Sequence, residues 1–141
     1  MSTPAQPSDA LKARIRHHEG FRSDPYVDSL GHVTYGYGHK ITPINKLSAE
    51  RLLTSDLQIA FAHTVDLFSD VWRNLNQVRR EVLVEMVFQM GKTGVSKFKR
   101  MRQALREEDY HTAGNEMVDS RWREQTPKRA TCLAQLMRDG K

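Results

Sequence analysis

The sequence holds one cysteine, Cys132, which excludes an internal disulfide. That scarcity says nothing about compartment, because a disulfide-free protein can act outside the cytoplasm. Cys132 reads as a small apolar filler on a helix. No stretch approaches the ~18 consecutive apolar residues of a membrane-spanning helix, so stable membrane insertion is not expected. The opening MSTPAQPSDA lacks the basic flank and apolar run of a secretory signal. Aromatics make up only 8% and do not interleave with the basic residues, which argues against a nucleic-acid surface. His17, His18 and His32 form no set with zinc-site spacing, and no metal or cofactor is expected. Repeats and low-complexity tracts are absent.

What is present points to one compact domain with two lobes. A chain of 141 residues can bury roughly two-thirds of its unfolded surface without covalent staples. Its net charge of +5 favours an anionic partner: nucleic acid, an acidic membrane surface or an anionic cell-wall polymer. The densest basic group is Lys97, Lys99, Arg100, Arg102 and Arg106, spaced as one solvated helix surface.

Residues 1–7 read as a disordered arm. Ser8 or Asp9 caps a helix running to about His18, with Leu11 and Ile15 on one side, and Gly20 stops it. The periodicity then changes. Asp24-Pro25 is expected to turn the chain, Leu30-Gly31 to form a hairpin tip, and His32–Tyr35 to be a strand ended by Gly36-Tyr37-Gly38. A two- or three-stranded antiparallel sheet is expected over residues 25–41. Beyond Pro43 the pattern is helical. Ser48 can cap a long helix, and a short helix near Asp70–Leu75 holds Trp72. Val78, Val82, Met86 and Met90 fall four apart in the most apolar segment, which implies a buried central helix broken by Gly91 and Gly94. Further helices are expected near 96–106, 109–119 and 121–125, and a last one from Pro127 to about Arg138. The fold class is therefore α+β, with a small N-terminal sheet lobe and a larger helical lobe.

Glu19 and Asp28 stand nine positions apart in HEGFRSDPYVDSLGHVTYGYGH (residues 18–39). Nine extended residues reach ~30 Å. A turn and a hairpin tip between the two acids can fold that span back so that the carboxyls face one another. Two carboxyls at ~6.5–9.5 Å hydrolyse a glycosidic bond with water between them, whereas ~5–5.5 Å favours a covalent intermediate. Glu19, at a helix C-terminus and expected to be partly buried, is placed to keep a proton for a leaving oxygen. Asp28, in a wetter loop, is expected to stay ionised, and the Thr34 hydroxyl could help hold a water against it.

Glu19-Gly20-Phe21-Arg22, Tyr26-Val27-Asp28, Gly31, Thr34 and Gly36-Tyr37-Gly38-His39 resemble the phage-type lysozymes, whose pattern is E-G-x-R, Y-x-D, G, T-x-G-x-G-H. Met86–Gly91 with Thr93-Gly94-Val95 supports the match, as does Ser120-Arg121-Trp122 with Gln125-Thr126-Pro127 and Arg129. The resemblance covers roughly residues 9–138. It implies a lysozyme-like fold and cleavage of the β-1,4 bond between N-acetylmuramic acid and N-acetylglucosamine in peptidoglycan, with inversion. Glu19 would be the general acid, and Asp28 and Thr34 would position the water. Phe88, Gln89 and Arg121 would line the substrate cleft. Arg129 would pair with Glu19, and His39 with Asp56. The same resemblance implies a monomeric endolysin with bacterial peptidoglycan as its partner. It would reside in the host cytoplasm until a holin opens the way to the periplasm and cell wall.

One domain is expected over residues 1–141, with its sheet lobe at about 19–47 and its helical lobe at about 8–18 and 48–138. Two departures stand out. The connection from Lys40 to Leu47 is much shorter than in the T-even phage enzyme, and Lys40, Met101 and Glu116 differ from it at cleft-side positions. The rival enzyme reading is a lytic transglycosylase, which uses one glutamate and no water; Asp28 and Thr34 at family spacing argue against it. The non-enzymatic rival is a basic nucleic-acid-binding protein.

Overall fold

The computed structural model describes residues 5–141, so the first four positions of the expected arm lie outside it. Contacts divide the chain into two compact units, one ending at Lys46 and the other spanning Leu47–Lys141.

The first unit contains α1 (Asp9–Glu19) and a three-stranded antiparallel sheet of β1 (Arg22–Val27), β2 (Val33–Gly36) and β3 (His39–Lys40), in that spatial order. Ser8 caps α1, its hydroxyl accepting the Leu11 N–H at 3.1 Å. Gly20, at φ +70°, ends the helix and directs the chain into β1. Asp24-Pro25 does not turn the chain as expected; both residues lie within β1. The register slips between Arg22 and Tyr26, marking a bulge, and β1 is an edge strand. Neither an edge nor a bulge demands a ladder N–H at every position, so a proline fits there. The hairpin tip falls at Leu30-Gly31 as expected, and the pairs Tyr26↔Thr34 and Val27↔Val33 lead up to it.

The second unit is helical: α2 (Lys46–Leu67), one 3-10 turn (Trp72–Asn74), α3 (Gln77–Ser96), α4 (Lys99–Arg106), α5 (Tyr110–Val118), α6 (Arg121–Gln125) and α7 (Pro127–Asp139). The long helix begins two residues before Ser48, because Lys46 and Leu47 are good helix formers that extend it past the expected cap. α3 is the central helix. Val82, Leu83, Met86 and Val87 are at most 3% exposed, and they pack in one cluster with Met101, Leu105, Met117, Leu133 and Met137. Gly91, at φ +78° and ψ 165°, breaks its hydrogen-bond ladder. Gly94 stays helical, contrary to expectation, since a helical glycine costs only about 1 kcal/mol. None of the helices among the described residues is long and apolar enough to cross a membrane.

Long-range hydrogen bonds tie α3 to the end of α7. The Asn76 side chain accepts the Arg79 N–H at 3.0 Å and donates to the Gly140 carbonyl at 2.9 Å. Arg79 donates to the Met137 carbonyl at 2.7 Å and the Arg138 carbonyl at 2.9 Å, with its guanidinium 3.8 Å above the Tyr110 ring. Those carbonyls are the unpaired acceptors of a helix C-terminus, and a cation is the natural partner for them.

Two surface expectations need correction. The basic group is not one solvated face. Lys97, Lys99, Arg100 and Arg106 are exposed, Arg106 while pairing with Asp70 at 2.8 Å, but Arg102 is half-buried and donates to the Leu67 carbonyl. The apolar face of α4, Met101, Ala104 and Leu105, lies in the core and draws the neighbouring Arg102 stem down with it. Cys132 sits on α7 but is exposed. The helix buries Ala130, Leu133, Ala134 and Met137, and a 3.6-residue repeat turns position 132 outward.

Candidate active site

In the first unit the two acids are held by different means. Glu19 is the last residue of α1, and its carboxyl lies against the turn that joins β2 to β3. A Cβ built on Gly38 would stand 2.7 Å from Glu19 Cδ and 2.8 Å from Oε2, far inside van der Waals contact. Gly38 itself has φ +75°. The glycine therefore serves two needs at once: a backbone angle that disfavours other residues, and an open seat for the carboxyl. Glu19 is exposed in the structure rather than partly buried, so its setting rests on the helix end and this seat.

Asp28 opens the hairpin loop. Its Oδ1 accepts two backbone N–H groups, from Leu30 at 2.9 Å and from His32 at 2.8 Å. Its own backbone N–H donates to the His32 carbonyl at 2.8 Å. The His32 imidazole Nδ1 stands 3.5 Å from Oδ2. These bonds, led by the His32 N–H, hold the carboxyl below its ordinary range, with Leu30, His32 and Lys40 adding in the same direction against partial desolvation. An ionised Asp28 with one oxygen anchored and the other without a short hydrogen bond is suited to hold water. Thr34 is buried, and its hydroxyl donates to the His32 carbonyl at 3.0 Å, which leaves its oxygen lone pairs to accept. His39 makes an edge-on ring contact with Tyr35.

The remaining candidates belong to the second unit. Gln89 is fixed at both ends: Oε1 accepts the Trp122 indole N–H at 2.8 Å, and Nε2 donates to the Thr126 hydroxyl at 3.4 Å. One side chain thus joins the Met86–Gly91 stretch to the Ser120–Pro127 stretch. Arg129 donates to Glu85 at 2.7 Å. Arg121 lines a pocket of about 640 Å³ with Phe98 and Trp122, whose rings meet edge to face, together with Lys97, Lys99 and Glu116. Phe88 is exposed and lines a separate pocket of about 300 Å³ with Asp56, Ile59 and His63. Phe88 and Arg121 therefore face different pockets of the same unit. Among the described residues, no group of three or more His, Cys, Asp or Glu side chains is arranged to hold a metal ion.

Three contacts of these residues are not visible from motif spacing. They are the Gly38 seat beneath Glu19, the His32 imidazole beside Asp28, and Glu85 as partner to Arg129. The G-x-G-H run signalled a tight turn but not what rests on it.

An acid at a helix end and an ionised aspartate in a glycine-rich hairpin, carried on a small α+β scaffold, are the two kinds of carboxyl that the glycosidase class of enzyme uses. The chain matches the phage lysozyme family over residues 16–138 and belongs to it, as a lysozyme-type peptidoglycan hydrolase. It is 27% identical to "Probable T4-type lysozyme 1" of Dictyostelium discoideum, over 93% of this chain and 95% of that protein. A second protein of that organism, "Probable T4-type lysozyme 2", is 28% identical over the same shares. The pre-baseplate central spike protein Gp5 of Enterobacteria phage T4 is 28% identical over 98% of this chain, which corresponds to 29% of the spike protein.

Proposed function

We propose that the chain cleaves the β-1,4 bond between N-acetylmuramic acid and N-acetylglucosamine with inversion. Glu19 protonates the leaving glycosidic oxygen. Asp28, with help from Thr34, holds the water that attacks the opposite face of the sugar. Phe88, Gln89 and Arg121 contribute to substrate binding. Arg129, His39 and Asp56 are supporting residues of the site. The observation that carries this reading is the contrast between the two acids. Asp28 is anchored as a carboxylate by two N–H donors, whereas the Glu19 carboxyl sits at the end of α1 against Gly38, with no such donors on it among the described residues.

The test is Glu19→Gln. The glutamine keeps the shape and loses the proton, so lysis of chloroform-treated Gram-negative cells should fall by about 10²–10⁴ while the circular dichroism spectrum is unchanged. Near-normal lysis by the folded variant removes Glu19 from the mechanism. Mass spectrometry of digested peptidoglycan decides between hydrolysis and transglycosylation: reducing ends support the proposal, and 1,6-anhydro ends overturn it.

In the cell the enzyme acts as a monomeric endolysin, waiting in the host cytoplasm until a holin gives access to the wall. The likeness to a phage spike protein favours a second reading, in which the enzyme travels in the virion. Immunodetection in purified particles would select it.

A further inference from the structure

The Asp28 carboxylate is asymmetric. Both short hydrogen bonds fall on Oδ1, and both come from the backbone of its own turn. Oδ2 has only the His32 imidazole, at 3.5 Å, too far for a good hydrogen bond but well within Coulombic reach. The side chains of Asp28 and His32 are 21% and 49% exposed, so the pair is partly shielded from solvent yet open to protons. The other charged group facing Asp28 is Lys40 on β3. The hairpin carries this whole arrangement: Val27↔Val33 pairing brings residues 28 and 32 to the same end of the ladder.

We infer that His32 is a positioning residue for Asp28: its imidazole, once protonated, keeps Oδ2 charged and available for water at acid pH. This rests on the reading of Asp28 as the residue that holds the attacking water. At the acid end a histidine carries its proton, so Asp28 titrates beside a cation. That cation makes protonation of Asp28 harder and carries activity to lower pH. Being 3.5 Å away, it leaves the lone pairs of Oδ2 free for water. Lys40 adds a weaker field of the same sign, so removing His32 shortens the acid range without abolishing it.

The experiment compares wild type, His32→Asn and His32→Lys, each verified as folded by circular dichroism. All three keep the backbone N–H of position 32 that Asp28 needs. Two readouts are taken: the Asp28 carboxyl titration by carbon-13 NMR, and the pH profile of lysis normalised to each variant's own maximum. In His32→Asn the Asp28 midpoint and the acid limb should both move up by about one pH unit, the size expected of one charge at this separation in water. In His32→Lys both should return toward wild type, and added salt should shrink all the differences. A midpoint that does not move in His32→Asn overturns the coupling. A midpoint that moves while the acid limb stays overturns the link to catalysis. Asp28→Asn separates this inference from the one beneath it. If that variant lyses normally, the reading of Asp28 fails; if it is dead and His32→Asn leaves both readouts unchanged, only the inference fails.

Discussion

Gly38→Ala is the substitution whose cost the structure allows to be worked out in most detail. Position 38 has φ +75°, where an L side chain is strained by about 1–2 kcal/mol. The new methyl would also stand 2.7 Å from Glu19 Cδ. Carbon atoms settle at about 3.5–4.0 Å, so the carboxyl must retreat by about 1 Å. A misplacement of that size in a reacting group costs about 10²-fold in rate. Gly36→Ala is the control, because its φ of +66° brings similar backbone strain but no atom lies within 4 Å of the new methyl. Both variants should therefore melt lower, by roughly 3–8 °C, and keep the wild-type circular dichroism spectrum. Only Gly38→Ala should lose about a hundredfold in lysis of chloroform-treated cells. Equal activity in the two variants would refute the idea that Gly38 seats the acid, and equal loss would show that backbone strain alone explains the effect.

Further outcomes follow from other parts of the molecule. Asn76→Ala removes the α3 cap and the tie to Gly140, so the urea midpoint should drop by an amount equivalent to about 1–2 kcal/mol; an unchanged midpoint would mean the cap contributes nothing. Asp28, Asp66, Asp70 and Asp109 are all held below the ordinary carboxyl value of 3.8, chiefly by the His32 N–H, the Lys92 ammonium, the Arg106 guanidinium and the Thr112 side chain respectively. Because the folded values are depressed, the stability they contribute is complete above 3.8 and is lost as pH falls through the folded values. Urea midpoints should therefore decline steeply below that pH, and equal midpoints in strong acid and at neutrality would contradict this. The +5 charge should help the enzyme find anionic wall polymers, so lysis should slow as salt rises and the Debye length shrinks below ~8 Å. A salt-independent rate would exclude steering.

Much of the local architecture was legible from periodicity and caps. Ser8 and Gly20 bound α1, Pro127 opens α7, and the four-residue rhythm of Val82 and Met86 marks the buried helix. These signals are local: each arises within one turn of backbone or one helix face, so a single stretch of chain contains it. The failures came where burial or pairing outweighed a local preference. Asp24-Pro25 looks like a turn but is held in an edge strand by the pairs that flank it, Arg22↔Gly36 and Tyr26↔Thr34. Arg102 looks like a solvent-facing charge but follows Met101 and Leu105 toward the core.

The sequence by itself determined the order of elements and the α+β class, and its resemblance to a family singled out Glu19 and Asp28 as the candidate acids, because motif spacing is a property of a linear string. Tertiary structure alone decided what those acids touch. Gly38 lies nineteen positions beyond Glu19, and it becomes the seat of that carboxyl only because the β2–β3 turn folds back to the end of α1. Gln89 is linked to Trp122, and Arg129 to Glu85, only because helices distant in sequence bury a shared face. Contacts of this kind depend on how apolar surfaces close against one another, and no one segment of the chain contains that information.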